Sequence, residues 1–109
     1  MKSIEPSVSV VIPVYNREKL ISQTISSAVS QHYSNLEIVI IDNHSTDGTW
    51  CIIQDLADRH KNICVFRNKK NLGPVQNWRR GIELATGDYV KILFSDDVMM
   101  PDCISRLME

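Results

Sequence analysis

The sequence predicts an α/β domain with a Rossmann-like, mostly parallel sheet in the strand order 3-2-1-4 and helices on both faces. Apolar, β-branched runs of strand length alternate along the chain with segments of helical periodicity. Each helical segment is long enough to be a right-handed crossover between parallel strands. The polar loops after the strands then meet at one edge of the sheet, where open α/β sheets bind their ligands.

Four apolar runs are the predicted strands. Residues 8–12 (VSVVI) end at Pro13, and residues 36–41 (LEIVII) follow the first helical segment. Such near-continuous runs are typical of strands that are buried on both faces. Residues 63–66 (ICVF) form a short third strand, and residues 88–94 form a fourth, which we also expect to be buried.

Helix signals separate these strands. The first helix is predicted within residues 17–30, and Thr46 or Asp47 can cap the second. Pro74 and Pro101 are suited to begin the third and fourth helices. The apolar residues at helical spacing are Ile21, Ile25, Ala28 and Val29 in the first helix, Trp50, Ile53, Leu56 and Ala57 in the second, and Val75, Trp78, Ile82 and Ala85 in the third.

Length and composition indicate one globular domain. The 109 residues are 43% hydrophobic and 23% charged, and 12 basic against 13 acidic residues give a net charge of −1. This balance lacks the basic excess of a nucleic-acid-binding protein, so no nucleic-acid partner is expected. The three cysteines show no zinc or redox spacing, and we expect small buried side chains in a reducing compartment.

Residues 1–7 are expected to form a flexible N-terminus that is too short for a signal peptide or a membrane span. We therefore expect the protein in the cytoplasm, free or peripheral to the inner face of the membrane. The loop after the first strand, residues 13–18 (PVYNRE), contains no glycine. It therefore matches neither a dinucleotide-binding turn nor a P-loop.

Two adjacent carboxylates, Asp96 and Asp97, follow the apolar part of the stretch 91–98 (KILFSDDV). Neighbouring Asp side chains repel each other unless a cation, hydrogen-bond donors or water stabilise them. Mg²⁺ or Mn²⁺ is usually held by one or two carboxylates together with substrate phosphates and water. The pair is therefore a candidate metal site, and the alternative is a solvated turn before the Pro101 helix.

Polar and aromatic residues follow the first two strands as well. Tyr15 can stack on a nucleoside base, and Asn16 can hydrogen-bond to the base edge or the ribose. Alternatively, Tyr15 packs on the sheet edge and Asn16 caps a turn. Asp42 and Asn43 are expected to face the same space, or else to form an Asx turn before the second helix.

Four motifs follow one another along residues 8–108. They are VSVVIPVYN (8–16), EIVIIDNHSTDGT (37–49), NLGP (71–74) with Gly81-Ile82, and GDY (87–89) through SDDVMMP (95–101). In this order and at this spacing, they make the chain resemble the N-terminal, nucleotide-sugar-binding half of the family 2 glycosyltransferases, which have the GT-A fold. By this resemblance, residues 8–109 form the nucleotide-sugar-binding domain.

The resemblance implies roles for individual residues. Pro13, Tyr15 and the pair Asp42-Asn43 would line the pocket for the base and ribose, and Asp97 would hold the metal. The residues that we expect to bind the nucleotide sugar are Pro13, Tyr15, Asn16, Asp42, Asn43, Asn71, Gly73 and Asp96, and those that we expect to bind Mg²⁺ or Mn²⁺ are Asp97 and Asp96.

The chain departs from the family pattern at two positions and in length. Asn43 stands where the family often has a second Asp, which in some members reads the base; Asn can still accept from a ring N–H but also donates, so a UDP-sugar is the expected donor. Phe94 stands where the acidic motif often starts. Family members continue for a further half that supplies the acceptor site and the general base of an inverting transfer. We therefore expect the base beyond Glu109 and no transfer by this chain alone.

Further expectations concern partners. The acceptor would be a glycan or lipid-linked sugar in cell-surface polysaccharide biosynthesis, met by the second half. Surfaces that truncation leaves open, including the faces of Trp78 and Phe94, invite a homodimer. The alternative function is a non-catalytic nucleotide-binding or interaction domain of the same fold.

Overall fold

The computed structural model describes residues 5–109 and contains a four-stranded parallel sheet in the order β3-β2-β1-β4. Along the chain the elements are β1 (Val8–Val14), α1 (Ile21–Val29), β2 (Leu36–Asp42), α2 (Thr49–Arg59), β3 (Ile63–Arg67), α3 (Pro74–Leu84), β4 (Tyr89–Ile92) and α4 (Cys103–Leu107). The predicted fold class and strand order are confirmed. Of the expected flexible N-terminus, residues 1–4 lie outside the described residues.

Alternate side chains of β1 and β2 build two apolar layers, one on each face of the sheet. One layer joins Val10, Ile12, Ile38 and Ile40 to buried residues of α1, α2 and α4. The other layer joins Val11, Val39 and Ile41 to the end of α3. Helices therefore cover both faces, as predicted.

The central strand β1 also explains where β4 stops. The carbonyl of Val14 points toward β2 and accepts a hydrogen bond from the N–H of Asn43 (2.8 Å). The carbonyl of Val11 points toward β4 and accepts one from the N–H of Leu93 (2.8 Å). Because strand residues alternate in direction, Pro13 also faces the β4 side, where it has no N–H to donate. The pairing therefore ends at this point, and the chain after Ile92 leaves the sheet as a loop.

β4 is an edge strand, so the expectation of a buried fourth strand over residues 88–94 was wrong. Tyr89 and Val90 are 56% and 41% exposed, and Phe94 is 50% exposed. Leu93 alone in this stretch is well buried, at 4% exposure. The apolar run predicted the strand correctly, but no further strand covers its outer side in the described residues.

α3 packs on the sheet through small and polar residues. Asn77 and Gly81 are its buried positions, whereas Val75 and Ile82 are 53% and 37% exposed. A Cβ atom at Gly81 would collide with Val11. The predicted helix was confirmed, but the face that packs on the sheet is the one with Asn77 and Gly81 and not the one with Val75 and Ile82. The close approach of the helix to the sheet at Gly81 is the reason.

The amino edge of the sheet is closed by hydrogen bonds. The carboxylate of Glu37 accepts bonds from the Ser9 hydroxyl and from both the N–H (2.8 Å) and hydroxyl (2.9 Å) of Thr86. The same Ser9 hydroxyl accepts a bond from the N–H of Gly87 (2.8 Å). Burial raises the pKa of Glu37, but the bonds from Ser9 and Thr86 outweigh it and lower that pKa below its ordinary value.

The cysteines differ from the prediction in their exposure. Cys51 and Cys64 are exposed, so the expectation that the cysteines are buried was wrong, and all three are free thiols. They lie on α2 and on the edge strand β3, where solvent reaches both positions.

None of the helices within residues 5–109 is long and apolar enough to cross a membrane.

Candidate functional site

The loops after the strands enclose an open cavity of about 490 Å³ at the carboxyl edge of the sheet. Its walls include five of the residues that the sequence indicated, namely Pro13, Tyr15, Asn43, Asn71 and Asp96. The structure therefore brings together residues that are up to 83 positions apart in the sequence. The predicted residues Asn16, Asp42, Gly73 and Asp97 lie outside this wall.

The turn after β1 is held by the loop after β2. Asn16 has a positive φ of 50°, which is uncommon for residues other than glycine. Its N–H donates to the Ser45 hydroxyl (2.9 Å), and its side-chain oxygen accepts from the N–H of Thr46 (2.8 Å). Asn16 thus joins the two loops and fixes Tyr15, which is 39% exposed, at the wall of the cavity.

Asp42 is fully buried behind the cavity. Its carboxylate accepts bonds from the hydroxyl and the N–H of Ser45, and one oxygen lies 3.4 Å from Nε of Arg67. Arg67 also donates to the carbonyl of Ser45 (2.9 Å) and stacks 5.5 Å from the ring centroid of Trp50. These contacts correspond to the Asx-turn alternative that the sequence left open. They occupy the carboxylate of Asp42 with partners from the protein itself.

Asn43 is the centre of a buried network of asparagines. Its side-chain oxygen accepts from Nδ2 of Asn68 and from the N–H of Leu72, both at 2.9 Å. Its Nδ2 donates to Oδ1 of Asn71 (2.8 Å) and to the carbonyl of Gly73 (3.4 Å). The carboxamide of Asn43 therefore has all its hydrogen-bonding positions occupied, and it fixes the loop after β3.

Two members of this network were missed in the sequence. Asn68 donates a second bond to Oδ1 of Asn77 (2.8 Å), and Asn77 donates to the carbonyl of Ile41 (3.2 Å). Oδ1 of Asn68 is buried without a partner in the described part of the chain. The one available signal was Asn77 itself, a polar residue on the inner face of α3. The helical spacing of the apolar residues pointed to a different inner face and obscured this signal.

Asp96 and Asp97 differ from Asp42 because their side chains are exposed and make no hydrogen bond or ion pair within residues 5–109. Their backbone is nevertheless fixed. The hydroxyl of Thr24 donates to the carbonyls of Ser95 (3.1 Å) and Asp97 (2.7 Å). The turn thus holds two free carboxylates in place on a rigid backbone.

The two carboxylates face different spaces. Asp96 lines the cavity described above, whereas Asp97 lines a second cavity of about 540 Å³, and Phe94 lines both. Residues 5–109 contain no group of three or more His, Cys, Asp or Glu side chains that could hold a metal ion by themselves. Two unpaired carboxylates suit a hard cation that takes its remaining ligands from phosphates and water.

Arg17, Trp78 and Phe94 also line the first cavity, and sequence reasoning assigned none of them to it. Arg17 is the one positively charged residue among those lining this cavity, and its guanidinium donates to the carbonyl of Asn16 (3.2 Å). The available signal for Arg17 was its position directly after the turn at Asn16. The cavity thus combines aromatic walls, one free amide nitrogen at Nδ2 of Asn71, one cation and one free carboxylate.

The family model described as "Glycosyl transferase family 2" matches residues 9–109. The chain belongs to glycosyl transferase family 2. Its sheet order and helices also match those of GT-A glycosyltransferase structures. The resemblance seen in the motifs is therefore confirmed for both family and fold.

Among the relatives of this family 2 domain is the Escherichia coli UDP-Glc:alpha-D-GlcNAc-diphosphoundecaprenol beta-1,3-glucosyltransferase WfaP. It is 39% identical over 100 residues, which are 91% of this chain and 39% of WfaP. The chain spans between 31 and 43% of the length of the curated relatives compared with it.

Solved structures give the same assignment. S. aureus TarS in complex with UDP superposes with a TM-score of 0.85 and 28% identity, over 93% of this chain and 30% of that one. The mannosyltransferase PcManGT from Pyrobaculum calidifontis, in complex with GDP-Man and Mn²⁺, gives a TM-score of 0.80 and 28% identity, over 88% of this chain and 29% of that one.

Proposed function

We propose that this domain binds a nucleoside diphosphate sugar, in the first place a UDP-sugar, together with Mg²⁺ or Mn²⁺. The reaction served is an inverting transfer of the sugar to an acceptor hydroxyl. The observation that carries the proposal is the free carboxylate of Asp96 in the same cavity wall as Tyr15 and Asn71, with the free carboxylate of Asp97 next to it in the chain and lining the neighbouring cavity. Two relatives of the same fold are named as complexes with UDP and with GDP-Man and Mn²⁺.

The residues of the cavity have separate tasks in this proposal. Tyr15 offers an aromatic face to the base, and Nδ2 of Asn71, which makes no hydrogen bond within residues 5–109, offers a donor. Arg17 provides positive charge for the diphosphate. Asp97 and Asp96 would hold the metal, which would neutralise negative charge on the departing nucleoside diphosphate.

We further propose that the acceptor and the general base belong to residues outside this chain. The acceptor would be a glycan or lipid-linked sugar, as the name of the WfaP relative suggests. The 109 residues alone would then bind the donor without transferring its sugar. A longer protein that binds UDP and metal but transfers nothing would instead support the non-catalytic alternative.

Calorimetric titration with UDP, in the presence and absence of Mn²⁺, tests donor binding. We expect Mn²⁺ to strengthen UDP binding at least about tenfold, and Asp97→Ala to remove that gain because a carboxylate ligand is lost. Asp58→Ala on the exposed surface of α2 is the matched control and should keep the gain. UDP binding that is indifferent to Mn²⁺, or to Asp97→Ala, would contradict the proposal.

The open edge of β4 supports a proposal about self-association. A homodimer would form through this edge, which presents the exposed Tyr89 and Val90 and unpaired backbone groups. Sedimentation of the protein as a monomer at high concentration would refute the homodimer.

We propose separately that the protein works in the cytoplasm, peripheral to the inner face of the membrane.

A further inference from the structure

Positive charge is concentrated in one segment of the chain. Residues 67–84 contain five of the 12 basic residues and, in Glu83, one of the 13 acidic residues. The remainder of the sequence therefore has seven basic and twelve acidic residues. A net charge close to zero thus conceals a strongly basic segment on an otherwise acidic domain.

Four of these basic side chains are exposed and unpaired. Lys69, Lys70, Arg79 and Arg80 form no ion pair or side-chain hydrogen bond within residues 5–109. Three other arginines are each paired with an aspartate, and their pairs are Arg59 with Asp55, Arg67 with Asp42, and Arg106 with Asp102. The charge of the four free side chains is therefore available to a partner.

Arg79 and Arg80 line one groove, and Lys69 and Lys70 lie in the loop that reaches it. An open groove of about 550 Å³ is lined by Leu72 from the loop after β3 and by Gln76, Arg79, Arg80 and Glu83 of α3. The groove thus connects the loop that carries Lys69 and Lys70 with the outward side of the helix. On the opposite side of α3, Asn77 and Gly81 pack against the sheet.

Apolar side chains flank the charges. Val75, Arg79 and Ile82 have the spacing i, i+4, i+7 and share one face of α3. Val75 is 53% and Ile82 37% exposed. An exposed helix face that combines arginine with aliphatic side chains is typical of surfaces that lie in the interface of a bilayer.

We propose that this surface, made of Lys69, Lys70, Arg79 and Arg80 with Val75 and Ile82, binds a membrane that contains anionic lipids. Each basic residue near such a membrane adds electrostatic attraction, and the aliphatic side chains enter the boundary between headgroups and acyl chains. A nucleic acid offers no comparable site for Val75 and Ile82, whereas the boundary between headgroups and acyl chains accepts aliphatic side chains. The inference stands independently of the donor cavity, because none of these residues lines it.

Co-sedimentation with vesicles tests the proposal on the complete chain. The vesicles contain phosphatidylcholine alone or phosphatidylcholine mixed with phosphatidylglycerol. We expect the anionic vesicles to bind at least about tenfold more protein at low salt, and high salt to remove the difference. The double variant Arg79→Glu/Arg80→Glu should lower that binding about tenfold or more.

The matched control is Arg59→Glu/Lys61→Glu, which makes the same change in net charge on exposed residues of the α2 side. It should keep vesicle binding within about twofold of the original chain, because only charges near the lipid surface contribute. Val75→Ser should weaken binding by roughly threefold through the loss of an inserted side chain. Circular dichroism and the melting temperature show whether each variant is folded.

Three results would overturn the proposal. The first is equal binding to neutral and anionic vesicles, and the second is an equal loss of binding in the α2 control. The third is tight binding to a labelled RNA oligonucleotide together with no binding to vesicles, which would assign the surface to nucleic acid. Normal UDP binding in any of these cases would leave the donor site unaffected.

Discussion

The two edges of the sheet use carboxylates in opposite ways. At the amino edge, Glu37 accepts three hydrogen bonds from Ser9 and Thr86 and is satisfied by the protein itself. At the carboxyl edge, Asp96 and Asp97 are exposed and make no such bond within residues 5–109, although their backbone is fixed. The difference supports the proposal that the carboxyl edge keeps charged groups for a ligand, whereas the bonded carboxylate of the amino edge contributes to stability.

Asp42 does not follow this division, because it belongs to the carboxyl edge but is as satisfied as Glu37. Asp42→Ala leaves the buried Ser45 without its acceptor and removes the ion-pair partner of Arg67, whose side chain is 37% exposed. We expect a loss of about 2–4 kcal/mol in the free energy of unfolding, measured by urea denaturation. Asp96→Ala should change it by less than about 0.5 kcal/mol. Equal effects of the two variants would remove the distinction between them.

The amino edge gives the next largest expected effect. Glu37→Ala leaves the fully buried Ser9 hydroxyl without its acceptor and should lower the free energy of unfolding by about 1–3 kcal/mol. For a domain of this size, the melting temperature should fall by roughly 4–8 °C per kcal/mol. Glu83→Ala, an exposed change on α3, should have little effect. A melting temperature that is unchanged in Glu37→Ala would show that the closed edge contributes no stability.

The smallest expected effect is a pH dependence from Glu37. Its pKa is lowered in the folded state, because the bonds from Ser9 and Thr86 outweigh the effect of burial. A carboxylate with a lowered folded pKa stabilises above its unfolded pKa, and this contribution disappears as the pH falls below about 4. Partial exposure limits the effect to a few tenths of a kcal/mol. Urea denaturation from neutral to acidic pH should show a shallower decline in Glu37→Gln than in the original chain.

Sequence patterns were sufficient for the sheet order and for five of the twelve residues that line the cavity. The apolar runs and the crossover rule determine the order β3-β2-β1-β4, and the order alone brings Tyr15, Asn71 and Asp96 to one edge. The strand predictions depend on periodicity along the chain, whereas Asn71 was assigned through the resemblance of the motif NLGP (71–74) to the family. The predictions of strand order and of these cavity residues therefore needed no knowledge of how the helices pack.

The features that were missed depend on three-dimensional contacts. The burial of Asn77 follows from the close approach of α3 at Gly81, which no periodicity reveals. The network around Asn43 depends on the exact path of the loop after β3. The positions of Asp96 and Asp97 in two different cavities, both lined by Phe94, likewise depend on the path of the loop after β4.

The central claim is that the free carboxylates of the carboxyl edge bind a metal-nucleotide complex, whereas the bonded carboxylate of the amino edge holds the fold. The most direct test is the shift in melting temperature that UDP with Mn²⁺ causes in Asp97→Asn and in Glu37→Ala. We predict that Asp97→Asn melts like the original chain and shows no ligand shift, while Glu37→Ala melts lower and keeps the full shift. A ligand shift that survives in Asp97→Asn, or disappears in Glu37→Ala, would contradict the claim.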